Sequence, residues 1–176
     1  MSLNEANTSK LNALDELMAE SLRVINAYID KLWADKTLNK FSKIEVNTWL
    51  SARMKQCLLK QAYETVKSQK ARKNKTKPTV QSPVLNLDER FLSFSEDINS
   101  FDFWIKLSSI GNKIIVKIPS RKHKHFLKYR DSDWKLRKGG RLRKCGDRWF
   151  LDLYMEKESP AQRMSGESIG IDTGYK

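Results

Sequence analysis

Cysteine, histidine, proline and glycine are all scarce in this chain: two, two, four and seven among 176 residues. Each shortage excludes something. Cys57 and Cys145 are too few and too isolated for a disulfide framework, so the sequence reads as a protein of a reducing cytoplasm. His123 and His125 flank Lys124 in what reads as a basic loop, with no further Cys, His or acid at ligand spacing, so no zinc site is expected in this chain. No apolar run approaches the roughly 20 residues needed to span a bilayer, and no membrane partner is expected. The first ten residues are polar and include Glu5, unlike a secretory leader. No internal repeat is evident.

Acids are in short supply too, with 21 Asp and Glu against 34 Lys and Arg, a net charge of +13. Such an excess favours a polyanionic partner, because each neutralised phosphate releases condensed counterions. The charge is clustered. Residues 34–82 hold 12 Lys/Arg against three acids, and residues 111–148 hold 14 against three. Two basic blocks separated by near-neutral stretches predict two surfaces facing one groove.

Leu11, Leu14, Met18, Leu22, Ile25, Ile29 and Leu32 recur at steps of three and four, which predicts an amphipathic helix over 9–34 capped by Thr8 or Ser9. Val46, Leu50, Met54, Leu58, Ala62 and Thr65 predict a second helix over 46–70, packed antiparallel on the first. Cys57 falls on its apolar stripe. Residues 67–83 read as a basic linker ended by Pro78 and Pro83. After it the period changes to two. Residues 101–107 and 113–118 read as strands around a Gly111-Asn112 hairpin turn, followed by further strands around turns at Gly139-Gly140 and at Cys145-Gly146-Asp147. Trp149, Phe150 and Tyr154 are read as core. The expected class is α+β: a helical pair, then an antiparallel, barrel-like domain of about five strands over 100–157. A helix-turn-helix factor fits poorly, since the turn joining the helices lacks glycine and the strand-rich half has no place in that fold.

In this order the pieces "LSARMKQCLLKQAYETVKS", "FDFWIKLSSIGNKIIVKIP", "RWFLDLYMEKE" and "IGIDTG" resemble the N-terminal half of TnpB, the OrfB-type RNA-guided nuclease and putative transposase of bacterial insertion sequences, related to type V CRISPR effectors. The resemblance covers roughly residues 10–174. It implies a helical recognition segment over 1–83, an OB-like wedge over 84–158 that grips guide RNA and double-stranded target DNA, and, over 159–176, a linker and the first strand of a ribonuclease H-like (RuvC) nuclease domain. Asp172 matches the first RuvC carboxylate, a catalytic and metal-binding role. A strand-end aspartate is a hard oxygen ligand suited to the two Mg²⁺ ions of phosphodiester hydrolysis. The remaining glutamate and aspartate of that family are absent. The expectation is therefore a catalytically incomplete front part, needing Mg²⁺ only when completed, with the C-terminal part of a split nuclease as a possible partner. The strand that opens the family's barrel is also expected to be missing. A prokaryotic cytoplasm, with nucleoid association, is the implied location.

The candidate nucleic-acid-binding residues fall in the two basic blocks. On the second helix they are Arg53, Lys55, Gln56, Lys60 and Lys67, with Arg53 and Gln56 able to read base edges in a groove. Beyond residue 120 they are Arg121, Lys122, Lys124, Arg137, Lys138, Arg141, Arg143 and Lys144. Aromatics interleaved with the latter (His125, Phe126, Tyr129, Trp134) suit unstacked bases. The alternative function is a basic RNA- or DNA-binding protein or regulator that stands alone without nuclease activity.

Overall fold

The computed structural model describes residues 1–73, 75–82, 84–98, 101–130 and 132–159. The expected strand at 167–172, and Asp172 with it, lie outside the described residues.

Helix α1 (Thr8–Ala34) buries Leu14, Leu17, Met18, Val24, Ile25, Tyr28, Ile29 and Leu32 along one face. Its cap is Asn7, whose side chain accepts from the Lys10 N–H at 3.1 Å, so the expected Thr8 or Ser9 cap is displaced by one residue. Helix α2 (Ala52–Lys70) packs its own stripe of Met54, Leu58, Leu59, Ala62 and Val66 into the same core. It starts later than the spacing predicts. Ser51 Oγ accepts from Met54 N–H at 3.1 Å and donates to the Ser109 carbonyl at 2.6 Å, which ends the preceding extended segment and fixes the first turn. Leu50, counted by periodicity as helical, instead bridges to Gly111.

Six strands follow, interrupted by one short helix: β1 (Val84–Leu87), β2 (Leu92–Ile98), β3 (Phe101–Leu107), β4 (Val116–Ser120), α3 (Lys124–Arg130), β5 (Lys135–Cys145) and β6 (Arg148–Glu156). They form two three-stranded antiparallel sheets, ordered β1-β5-β6 and β2-β3-β4. A helical pair followed by antiparallel strands is the α+β arrangement expected. The local turns differ. Gly111 (φ 149°) does not form a two-residue hairpin; a Cβ there would lie 2.5 Å from the Trp49 carbonyl, so glycine permits this loop to touch the segment before α2. Gly139 and Gly140 are not a turn either. They sit at an irregularity inside β5, where a Cβ would meet the Leu87 or Asp152 carbonyl within 3 Å. Gly146 does turn the chain, at φ 57° between β5 and β6. The basic loop after His123 is instead the seven-residue helix α3, held by Phe126 against Phe103 at 5.3 Å between ring centres.

Residues 1–3 run as an extended segment along β6, with Ser2 bridged to Phe150. Met1 and Leu151 exchange backbone bonds (2.6 and 2.9 Å), and Leu3 N–H donates to the Trp149 carbonyl at 2.9 Å. Burying Leu3 completely contributes about 1.5–3 kcal/mol to holding this segment on β6. On its other side the Ser120 hydroxyl donates to the Ser2 carbonyl at 2.8 Å, joining β4 to the same edge. A single cluster of buried side chains runs from Leu14 and Ile25 through Phe91 and Phe103 to Leu142 and Trp149, so helices and sheets share one core. Among the described residues no helix is long and apolar enough to cross a membrane.

Candidate nucleic-acid interface

With Met54, Leu58 and Ala62 turned inward, helical spacing leaves Arg53, Gln56, Lys60 and Lys67 exposed and Lys55 half-buried on the opposite face of α2. Among the described residues none of these five side chains is held by a hydrogen bond or ion pair, although Arg53 lies near enough to Asp88 to act on its charge. Lys55, Gln56 and Lys60 line a groove of about 1340 Å³ bounded by the loop at 40–45, α2 and the β1–β2 turn. The sequence reading missed what the rest of the chain brings there: Lys40, Lys43, Arg72 and Arg90. Phe41 stands at this groove with 85% of its surface exposed and the Lys40 ammonium 5.1 Å from its ring centre. An exposed Phe beside lysines was the available signal. On the opposite wall Arg90 pairs with Asp88 and holds its carboxyl below the usual range. Burial raises the Cys57 thiol, whose Sγ donates to the Asn86 carbonyl at 3.0 Å; Cys57 is thus half-buried against β1 rather than in the core.

Gln61 of α2 replaces a missing neighbour strand along β1. Its amide donates to the Val84 carbonyl at 3.0 Å and its oxygen accepts from Asn86 N–H at 3.4 Å. Asn86 therefore belongs both to the groove and to the outer face of sheet β1-β5-β6. On that face period two sets the order: Leu142, Trp149 and Leu151 point inward, so Arg141, Arg143, Phe150 and Asp152 point out. Phe150 and Tyr154 were expected in the core. Being an odd number of residues from Trp149 on one strand, Phe150 cannot share its face, and Tyr154 is 41% exposed. Asn86, Arg141 and Asp152 are direct register partners on three adjacent strands, with Arg141 Nε 3.3 Å from Asn86 Oδ1. The next row is Val84, Arg143 and Phe150. Arg143 donates to both Asp152 oxygens (3.1 and 2.9 Å) with its guanidinium 4.6 Å from the Phe150 ring centre. Arg137 and Lys138 extend from β5 exposed and without a partner among the described residues.

The other candidates divide differently. Lys144 is bound to Asp15 of α1 with its ammonium 5.6 Å from the Trp149 ring centre, a tie between helix and sheet. Lys122, its side chain 9% exposed, pairs with Glu96 at 3.0 Å, as does Arg130 at 2.7 Å. Arg121 is 3.7 Å from Glu5 and largely in solvent. Lys124 is exposed on α3. His123 and His125 stack on one another, 5.3 Å apart, and no group of three or more His, Cys, Asp or Glu among the described residues is placed to hold a metal ion. A scan against protein-family models finds no match to this chain, and a search of curated proteins finds none either.

Proposed function

We propose that this chain binds nucleic acid, taking an RNA with unpaired segments along the α2 groove and across the outer face of sheet β1-β5-β6. The observation that carries the reading is the row Asn86–Arg141–Asp152, which leads from the groove wall over a cation to the far edge of the sheet. Two strand spacings separate its ends, about 10 Å, so one strand of nucleic acid spans both surfaces. Lys55, Lys60, Arg137 and Lys138 flank that path with side chains unpaired among the described residues, and Phe41 and Phe150 offer rings beside cations, as single-strand sites do. On the resemblance of its motifs, the specific form of the proposal is the guide-RNA and target-DNA binding part of a TnpB-like nuclease. The strand domain then plays the OB-like wedge, and Asp172 is one carboxylate of a Mg²⁺ site completed by residues from a further part.

The test is filter binding of a structured RNA and of duplex DNA between 50 and 200 mM salt. With six to ten phosphates contacted, affinity for DNA falls by roughly three to five orders of magnitude over that range. Salt-independent or absent binding overturns the proposal. In a form that carries the remaining carboxylates, Asp172→Ala is expected to abolish cutting and leave RNA binding unchanged. Cutting that survives the substitution removes the nuclease part of the reading only.

A further inference from the structure

Beyond the far end of that row lies a second cavity, of about 480 Å³, between α3 and β6. Asp152 closes one side of it, and Asp152 is the residue on which the Asn86–Arg141 row ends. Met1 lines it too, its ammonium donating to the Leu151 carbonyl and lying near enough to Asp152 to feel its charge. The imidazoles of His123 and His125 lie parallel, 5.3 Å apart and inclined by 16°. Tyr129 and Trp134 meet edge to face at 5.4 Å and 76°. Leu153 and Met155 complete an apolar side. Tyr129 keeps 38% of its surface exposed, so the rings are open to an entering group. A cavity of this size is at the small end of ligand sites, which run about 300–1,000 Å³.

We infer that this cavity takes a single unpaired nucleobase from the strand bound across the sheet, a proposal that rests on the nucleic-acid-binding reading above. Flat rings accept the π-face of any base. The polar groups select within that class. Asp152 accepts two bonds from Arg143 yet, as a carboxylate, has about four lone-pair sites. A base edge with adjacent donors suits its remaining sites best, as the N1–H and amine of guanine do; uracil offers a single N3–H between two carbonyl oxygens. Arg143 beside it, and Lys124 and Lys128 exposed on α3, supply cations for the flanking phosphates. An aromatic pocket alone would suit many ligands. This one adjoins a row in which Arg141 leads from Asn86 to the cavity's own carboxylate, with Arg143 beside it, and that favours a base still attached to its backbone.

The experiment compares a ten-nucleotide abasic strand with the same strand carrying one central base, in ribose and deoxyribose forms, by fluorescence anisotropy. A strand free to slide presents its one base to the cavity from any starting register. We expect the base to tighten binding about 5- to 150-fold, the range for one stacked base, with guanine above uracil. Tyr129→Ala, and separately His123→Ala with His125→Ala, should erase that gain while the salt dependence of the abasic strand stays as in the parent. An abasic strand that binds with steep salt dependence but gains nothing from a base overturns the cavity and leaves the binding function standing. No binding of either strand overturns both. A gain that persists in both variants places the base elsewhere, on Phe41 or Phe150, and overturns the cavity as well. The parent comparison decides even if a variant fails to fold, and a ribose-only gain assigns the site to RNA.

Discussion

Neutralising Lys55, Lys60, Arg137 and Lys138 together, each to Gln, separates charge that binds from charge that folds. None of the four makes a hydrogen bond or ion pair among the described residues, and all but the half-buried Lys55 are exposed. Each change should therefore shift stability by no more than about 0.5 kcal/mol. Each lost phosphate contact on a single strand lowers the slope of log affinity against log salt by about 0.7, so four lower it by about 2.8. Between 50 and 200 mM salt the parent then loses about 50-fold more affinity than the variant does. Anisotropy titrations at three salt concentrations measure both slopes, and thermal melts confirm the fold. An unchanged slope in a folded variant would mean that these four cations face only solvent, and the path across the sheet would lose its support.

Lys144→Ala is expected to do the reverse, lowering stability by about 1 kcal/mol through loss of a partly exposed ion pair and a cation–ring contact, with the salt slope intact. A changed slope with unchanged stability would restore Lys144 to the interface. Gly111→Ala should destabilise the protein by at least about 1–3 kcal/mol, since its backbone lies at positive φ and the added Cβ meets the Trp49 carbonyl; an unmoved urea midpoint would refute that close approach. Glu20 is held below its ordinary carboxylate range, first by its bond with Arg23 and also by the Thr48 hydroxyl. Because its folded value lies below its unfolded one, this contribution is present above the unfolded pKa, near 4.5, and is lost as pH falls through the folded value. Glu20→Gln should flatten the acid limb of a stability–pH curve relative to the parent, and identical limbs would exclude the effect.

The helices were legible because three-and-four spacing is a local property, and α1 ends within a residue of its reading. The start of α2 was not. Val46 and Leu50 continue the helical spacing, but a serine that can cap, and a loop arriving from residue 110 to pair with Leu50, outweigh it. Leu92-Ser93-Phe94-Ser95 alternates, yet β1 and β2 were not read as strands, and the glycine pair at 139–140 has the composition of a turn but is used for close passage between strands. Nothing local marks Asn86. It matters only because Gln61, 25 residues earlier, and Arg141, 55 residues later, both reach it.

Charge was the least transferable reading, for a related reason. Residues 111–148 hold the denser block, yet its acidic partners come from elsewhere in the chain. Glu5, Asp15, Glu96, Asp152 and Glu158 pair with Arg121, Lys144, Lys122, Arg130, Arg143 and Lys135. Among the described residues the block at 34–82 has only Lys43 with Glu45 and Lys77 with Asp30 in ion pairs. The less dense block is thus the less neutralised. Local net charge counts neighbours along the chain, while a phosphate meets neighbours in space, and an ammonium already sharing its field with a carboxylate offers a polyanion less. Among the described residues, cations outside any ion pair include those of α2 and of the Arg137–Lys138 stretch of β5, on either side of Asn86 and Arg141. On the proposed reading, that placement, rather than the total of +13, would direct a bound strand from the groove to the sheet.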